Sequence, residues 1–211
     1  MEEKESQPAF MSALTTEHFA LQTAANATVS DASARSSLYV FTLSSSLVAI
    51  GFASRSREVF LPFIAVALPG VFLLGVFTVV RLVDTTLENM RLLAGIARIR
   101  NYYRTLTPEA PVYFGTYREH GPDSLRLGGF VAFLTTTAST TAFVNSIVAG
   151  TGVAMLVGDL FNAEMAFALL LGISAAVAHM ATFLAYQRWR FRVFALEDSH
   201  ETRQNADRPK Q

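Results

Sequence analysis

The sequence predicts an all-α fold: a polytopic membrane helical bundle made of two transmembrane hairpins with cytosolic helical extensions. Two long apolar regions support this prediction, 36–83 and 129–186, and a polar, arginine-rich segment separates them. The chain balances 17 Lys+Arg against 17 Asp+Glu, yet the apolar regions contain few of these residues. A globular domain in water carries charge on every amphipathic helix, so this segregation indicates that lipid surrounds the two regions.

The sequence contains no cysteine, which excludes disulfides, thiolate metal sites and a cysteine nucleophile. Residues 1–7 are acidic rather than basic, and no apolar core follows them before Ser36, so a cleavable signal peptide is not expected. We therefore interpret the first span as an uncleaved anchor. Residues 1–15 are predicted to be disordered.

Residues 16–35 read as a cytosolic helix, because they are rich in alanine and contain neither proline nor glycine. Thr16 is an N-cap candidate, and Glu17 suits the first turn, where an acidic side chain complements the helix dipole. The helix is expected to run directly into the first span.

The first hairpin contains span one, 36–54, and span two, 60–83. Three serines interrupt span one at 44–46, and their hydroxyls can bond carbonyls one turn back, which lowers the cost of placing them in hydrocarbon. Pro69 and Gly70 lie in the middle of span two, where the loss of a backbone hydrogen bond predicts a bend. This bend has two interpretations, a packing feature or a gating hinge.

Beyond span two, apolar and charged residues recur at steps of three and four through residue 106, which predicts an amphipathic helix that continues the span. At 1.5 Å per residue, residues 61–106 form a helix of roughly 70 Å, whereas the hydrocarbon layer is about 30 Å thick. The second half of this helix is therefore expected in the cytosol, antiparallel to residues 16–35. Its apolar side has three candidate partners: the other helix, another subunit or the membrane surface.

Residues 107–128 are predicted to form a cytosolic loop, since three prolines exclude a continuous helix. A segment of this length without regular structure is more often functional or disordered than a simple connection. Its polar and aromatic residues are candidates for a ligand or partner site; the alternative is a solvated loop with its rings at the headgroup level. The candidate residues are Tyr113, Phe114, Tyr117, Arg118, His120 and Asp123.

The second hairpin contains span three, 129–157, and span four, 164–186, joined by a turn without lysine or arginine. Asn162 is an N-cap candidate for the fourth helix, and Glu164 suits its first turn. The basic cytosolic tail, 188–211, opens with an aromatic and arginine run typical of a membrane-interface anchor that attracts anionic lipid. The anchor residues are Arg188, Trp189, Arg190 and Arg192.

Hydroxyl side chains surround most of span three, and small residues in both spans of the second hairpin follow small-xxx-small spacing. The small residues are Ala138, Ala142, Gly150, Ala154 and Gly158 in span three, and the pairs Gly172 with Ala176 and Ser174 with Ala178 in span four. This pattern predicts tight helix packing, and a conducting stripe of hydroxyls is the alternative.

Two strongly polar side chains, Asn145 and His179, lie deep in the spans. Polar groups are costly in hydrocarbon, so both are functional candidates, together with Thr137 and Thr141. His179 has a simpler interpretation as a hydrogen-bonding partner of Asn145, of a threonine or of a backbone carbonyl.

The distribution of basic residues predicts the topology. Six arginines lie between spans two and three, and six basic residues follow span four, whereas the first turn carries only Arg55 and Arg57. Cytoplasmic segments carry the excess of lysine and arginine, so the central segment and both termini are expected in the cytoplasm. The expected location is the plasma (inner) membrane, as a multi-pass protein with both hairpin turns outside.

Enzyme motifs are absent from the sequence, which has no HExxH, no glycine-rich phosphate loop and no GxSxG. No catalytic residue, metal ligand or cofactor is therefore predicted, and the chain is not expected to be an enzyme. Nucleic-acid binding is not expected either, because the arginines lie at membrane edges and are balanced by acids.

Residues 98–114 read RIRNYYRTLTPEAPVYF, and the alanine-rich helix before the first span ends in DASARSSLYVF. With this pattern of arginine, tyrosine and proline between two hairpins, the chain resembles a family of uncharacterised actinobacterial four-helix integral membrane proteins. The resemblance implies the fold but no activity. In architecture alone, the chain is also similar to transmembrane effectors of bacterial cyclic-nucleotide antiphage systems, in which cytosolic extensions sense a signal and helices perturb the membrane.

Two functional hypotheses follow from the sequence. In the first, a non-enzymatic membrane scaffold or sensor binds a cytosolic protein or small ligand through its helical stalk and the 107–127 loop. In the second, an oligomeric pore or membrane-disrupting effector of a bacterial stress or antiphage system places hydroxyls of spans one and three in a lumen. The lipid bilayer is the common partner, and a homo-oligomer is compatible with both.

Overall fold

A computed structural model describes residues 2–114, 136–161 and 163–206 of the chain. The helices in these ranges are α1 (Glu2–Ala53), α2 (Arg57–Tyr103), α3 (Ala110–Tyr113), α4 (Thr137–Leu160) and α5 (Met165–Ala206). No strand occurs within the described ranges, so the predicted all-α fold is confirmed.

Four of these helices, α1, α2, α4 and α5, are long and apolar enough to cross a membrane. Large apolar side chains point outward along them; Val66 in α2, for example, is 75% exposed. Exposure on this scale is costly in water but normal where hydrocarbon is the solvent. The chain is therefore a multi-pass membrane protein, as the sequence predicts.

The chain forms two compact units. The helical-pair unit comprises residues 1–33 and 84–133, and the four-helix unit comprises residues 34–83 and 134–211. The division falls inside α1 and α2, so each of these helices contributes one segment to each unit.

In the helical-pair unit, the segments of α1 and α2 pack antiparallel. The Thr28 hydroxyl lies 3.1 Å from Asn89 Oδ1, and a Cβ on Gly95 would lie 3.1 Å from Leu21 Cδ1. Of the three candidate partners for the apolar side of α2, the structure shows the first, the neighbouring helix of the same chain.

The ends of this unit differ from the boundaries inferred from the sequence. Helix α1 begins at Glu2, whereas residues 1–15 were expected to be disordered. The extra turns are held by packing, because the Phe10 ring meets Tyr102 edge-on at 5.7 Å. In the expected loop, Ala110–Tyr113 forms one helical turn with Pro111 near its start, where a missing N–H costs little.

The core of the four-helix unit contains Tyr39 from α1, Val71 from α2 and Val148 from α4. Helix α2 is continuous through Pro62 and Pro69, and the bend expected at Pro69 and Gly70 stays a prediction. More residues of α2 are buried after Pro69 than before it. Ile64 is buried before Pro69, and a row of several residues is buried after it. That row is Val71, Thr78, Val79, Leu82 and Val83.

The described part of the second hairpin begins with the N-cap of α4. Thr136 has extended backbone and caps α4 by accepting a hydrogen bond from the Ser139 N–H at 3.2 Å, so the helix starts at Thr137. Residues 129–135, expected in span three, and Asn162, the expected cap of α5, lie outside the described residues. Helix α5 continues well past residue 186, into the segment expected to be a tail.

Candidate functional site

Asn145 is the most enclosed polar residue of the four-helix unit. Its side chain in α4 is 0% exposed, and its Oδ1 accepts a hydrogen bond of 3.1 Å from the equally buried Tyr39 hydroxyl in α1. The bond joins two helices across the core. It also provides both groups with a partner in a region without water, where an unpaired polar group is costly.

The same carboxamide lies against α2. A Cβ built on Gly75 would overlap the Asn145 side chain, so the absence of a side chain at Gly75 is what makes room for the amide. Asn145 Nδ2 is buried and has no hydrogen-bond partner among the described residues. Asn145 on α4 therefore contacts both α1 and α2. Its Oδ1 accepts one hydrogen bond, and its Nδ2 donor has no partner among the described residues.

His179 in α5 bonds to the next residue along α4, Ser146. Ser146 Oγ donates to the Ala142 carbonyl at 2.7 Å and lies 2.8 Å from His179 Nδ1. Either atom can be the donor of the bond between Ser146 Oγ and His179 Nδ1, depending on the imidazole tautomer. The Phe72 ring meets the imidazole at 5.2 Å, which brings α2 to the same place.

The two hydroxyl candidates near the start of α4 differ in burial and bonding. Thr141 is buried and donates to the Thr137 carbonyl at 2.8 Å, while Thr137 itself is exposed. Two turns away from Asn145, the buried Ser139 hydroxyl reaches Gln187 Oε1 of α5 at 3.4 Å. The Ser139 hydroxyl thus links α4 to α5, whereas the Thr141 hydroxyl bonds within its own helix.

The small residues of the second hairpin also serve packing. A Cβ on Gly150 would lie 2.6 Å from the Gly172 carbonyl oxygen, and a Cβ on Gly172 would lie 2.8 Å from Ala154 Cβ. The predicted tight packing is thus confirmed at these positions. Ser174 and Ala178, by contrast, are exposed on another face of α5.

The helical-pair unit carries the described part of the predicted ligand or partner site. Phe10, His18, Tyr102, Tyr103 and Phe114 form a chain of ring contacts, here called the aromatic cluster. Its rings are 5.5 to 6.5 Å apart, the spacing typical of edge-to-face and tilted pairs. Phe114, a candidate from the sequence, belongs to it through Tyr103.

The remaining candidates of the 107–127 loop divide into two groups. Tyr113 is 81% exposed, directly before Phe114. Four others lie outside the described residues: Tyr117, Arg118, His120 and Asp123.

The residues predicted to form a membrane-interface anchor are helical. Arg188, Trp189 and Arg192 are exposed, Arg190 is half-buried, and the Trp189 ring lies 6.2 Å from Tyr186. These are the side chains expected at a headgroup layer, with aromatic rings beside arginines.

The sequence did not identify Tyr39, Gly75, Ser146 or Gln187 as members of the polar contacts. Ser146 had a weak signal as the neighbour of Asn145 on a helix rich in hydroxyls. The other three carried none, because their roles depend on which residues face them from other helices.

Comparisons with known protein families, curated proteins and solved structures find no match to this chain. Within the described part of the four-helix unit, hydrogen bonds join Tyr39 to Asn145 and Ser146 to His179, and the Thr141 and Ser146 hydroxyls bond carbonyls of their own helix. That arrangement holds helices together. The aromatic cluster, in contrast, keeps large ring surfaces open to solvent and is suited to binding.

Proposed function

We propose that this chain is a non-enzymatic scaffold or sensor of a bacterial inner membrane. It binds a cytosolic protein or small ligand through the helical-pair unit and the 107–127 loop. Both termini lie in the cytoplasm, a topology supported by the excess of arginine between spans two and three and after span four.

The observation that carries the proposal is the exposure of the aromatic cluster. Phe10 is 51% exposed and Tyr102 is 38% exposed although their rings pack together, and Tyr113 next to the cluster is almost fully open. Large rings held in place by neighbours give contact area at a low entropic cost, which is the property of interface hot spots.

Site-specific photocrosslinking in living cells tests the proposal. A photoreactive phenylalanine analogue replaces Phe10 or Tyr113, and the matched control carries it at Thr16, which is exposed on α1. We expect a discrete adduct of defined mass from the two cluster positions and none from Thr16. Tyr102→Ala should weaken the adduct, because it removes the ring that supports Phe10.

Two outcomes contradict this function. One is an adduct that forms equally at Thr16, and the other is an adduct that Tyr102→Ala does not change. Either result would mean that the cluster merely packs the two helices.

A second candidate function, the oligomeric pore, is favoured by outward-facing hydroxyls. Ser44 and Ser45 on α1 and Thr140 and Thr151 on α4 are exposed in the four-helix unit. In a monomer these groups would face hydrocarbon, whereas an oligomer would cover them or line a lumen with them. The buried Asn145 does not contribute to such a surface.

Dye leakage from vesicles that contain the purified chain tests the pore. The variant carries Ser44→Leu and Ser45→Leu, and the control carries Val48→Leu on the same exposed stretch of α1. A pore predicts leakage that the serine variant abolishes and the control retains. Intact vesicles with the unchanged chain would exclude conduction.

A further inference from the structure

A groove of about 580 Å³ follows the contact between α4 and α5 and ends at the turn that joins them. Its sides carry Ile147 and Thr151 from α4, and Leu169 and Ile173 from α5. The volume is within the range of small-molecule sites, and most of the lining is apolar.

The groove exists because its floor has almost no side chains. Gly150 and Gly172 bring the two backbones together, and Ala154 and Ala176 contribute a single methyl group each. Longer residues stand on either side of this floor. The groove that remains runs along the hairpin and suits an extended apolar chain.

An acidic residue lies at one end of the groove. Asp159 lines the groove and is exposed, in the last turn of α4. The C-terminal end of a helix carries a partial negative charge, which adds to that of the carboxylate. Glu164, just before α5, offsets the positive end of that helix.

No lysine or arginine occurs in residues 127–187, so the nearest arginine of α5 in the sequence, Arg188, is 29 residues from Asp159. Ile147 and Asp159 at the two ends of the groove are twelve helical steps apart on α4, or about 18 Å at 1.5 Å per step. That length is comparable to an extended dodecyl chain.

We propose that this groove binds a single-chain amphiphile with an ammonium head group. The head group lies at Asp159, and the alkyl chain runs along the glycine and alanine floor towards Ile147. Met155 and Met165, which also line the groove, can adapt their unbranched side chains to the ligand. An anionic amphiphile is excluded from the same position by the carboxylate.

The test uses the full chain in phosphatidylcholine nanodiscs and a dodecylammonium probe with a diazirine at the end of its tail. We expect photolabelling, mapped by mass spectrometry, to concentrate around Ile147 and Ile173. Unlabelled dodecyltrimethylammonium should compete with the probe, and dodecyl sulfate should not.

Two variants separate charge from shape. Asp159→Asn should reduce labelling about fivefold, the change expected from loss of an exposed ion pair, whereas Glu58→Gln in the other hairpin turn should leave it unchanged. Thr151→Phe should fill the groove and abolish labelling, while Val66→Phe, on an exposed face of α2, should not.

Thermal unfolding of each variant in detergent shows whether it is folded. Labelling spread evenly over lipid-facing helices would overturn the proposal. Equal competition by dodecyl sulfate, or labelling unchanged by Asp159→Asn, would overturn it as well, because the groove would then be an ordinary lipid-facing surface.

Discussion

At Asn145 one carboxamide interacts with two neighbouring helices at once. It accepts the Tyr39 hydroxyl of α1 and occupies the space left free by Gly75 of α2. The next residue, Ser146, forms a hydrogen bond with Nδ1 of His179 on α5. Two consecutive residues of α4 thus contact the other three helices of the four-helix unit. These polar contacts should determine how the four helices are rotated and aligned relative to one another.

The Tyr39–Asn145 hydrogen bond is expected to stabilise the bundle measurably. Asn145→Ala should lower the free energy of unfolding by about 1–2 kcal/mol, since it leaves the buried hydroxyl unpaired. Tyr39→Phe should cost less, because the ring remains. Unfolding by sodium dodecyl sulfate in mixed micelles measures the stability of both variants. A double-mutant cycle should give a coupling energy of about 0.6 kcal/mol. Strict additivity of the two effects would show that the hydrogen bond contributes nothing.

The effect of a Gly75 substitution on stability is expected to depend on the residue at position 145. Gly75→Ala should destabilise the bundle by about 1–3 kcal/mol, because the new methyl group overlaps the amide. In an Asn145→Ala background, the same substitution should be neutral or stabilising, since alanine is the better helix former. The same unfolding titration applied to all four combinations checks this, and an equal loss in both backgrounds would contradict the packing shown here.

At the scale of elements, the α4–α5 hairpin depends on glycines that differ in the space around them. A Cβ on Gly172 would lie 2.6 Å from the Gly150 carbonyl oxygen, whereas a Cβ on Gly158 would lie 3.8 Å from Ala168 Cβ. A methyl group at Gly172 would therefore force the two helices apart, whereas a methyl group at Gly158 would make an ordinary van der Waals contact.

Substitution of these two glycines should therefore give opposite results. Gly172→Ala should lower the free energy of unfolding by about 1–3 kcal/mol, and Gly158→Ala should raise it by about 0.5–1 kcal/mol through the helix propensity of alanine. Thermal unfolding in detergent compares the pair. A similar change in both variants would mean that the hairpin is packed differently.

The helices could be predicted from the sequence because their signals are local. Span one was placed at 36–54 and α1 ends at Ala53; span four was placed at 164–186 and α5 begins at Met165. Apolar length and charged turns determine such ends. The helix boundary at Thr136 could not be predicted, because Thr136 reads as one more hydroxyl of the span and only its backbone shows that it is a cap.

The polar contacts could be predicted only in part, for a different reason. Asn145 and His179 stand out in a span because of their own chemistry. Their partners Tyr39 and Ser146 do not, since tyrosine and serine are unremarkable in membrane helices and become informative only when helix rotation is known. The groove at Asp159 likewise depends on the register of α4 against α5, which the sequence pattern does not specify.

At the scale of the whole molecule, the account requires a chain that crosses the membrane four times with both termini on the cytosolic side. The exposed apolar surfaces of the four long helices support the crossings. The arginine distribution supports the orientation. The proposed cytosolic binding function depends on that orientation, because the aromatic cluster must face the cytoplasm.

Cysteine labelling in intact cells tests this topology most directly, and the absence of native cysteines leaves no background. Ser56→Cys lies in the α1–α2 turn, and Thr105→Cys lies between α2 and α3; both positions are exposed. An impermeant maleimide should label Ser56→Cys from outside and should label Thr105→Cys only after permeabilisation. Labelling of Thr105→Cys but not of Ser56→Cys in intact cells would contradict the account.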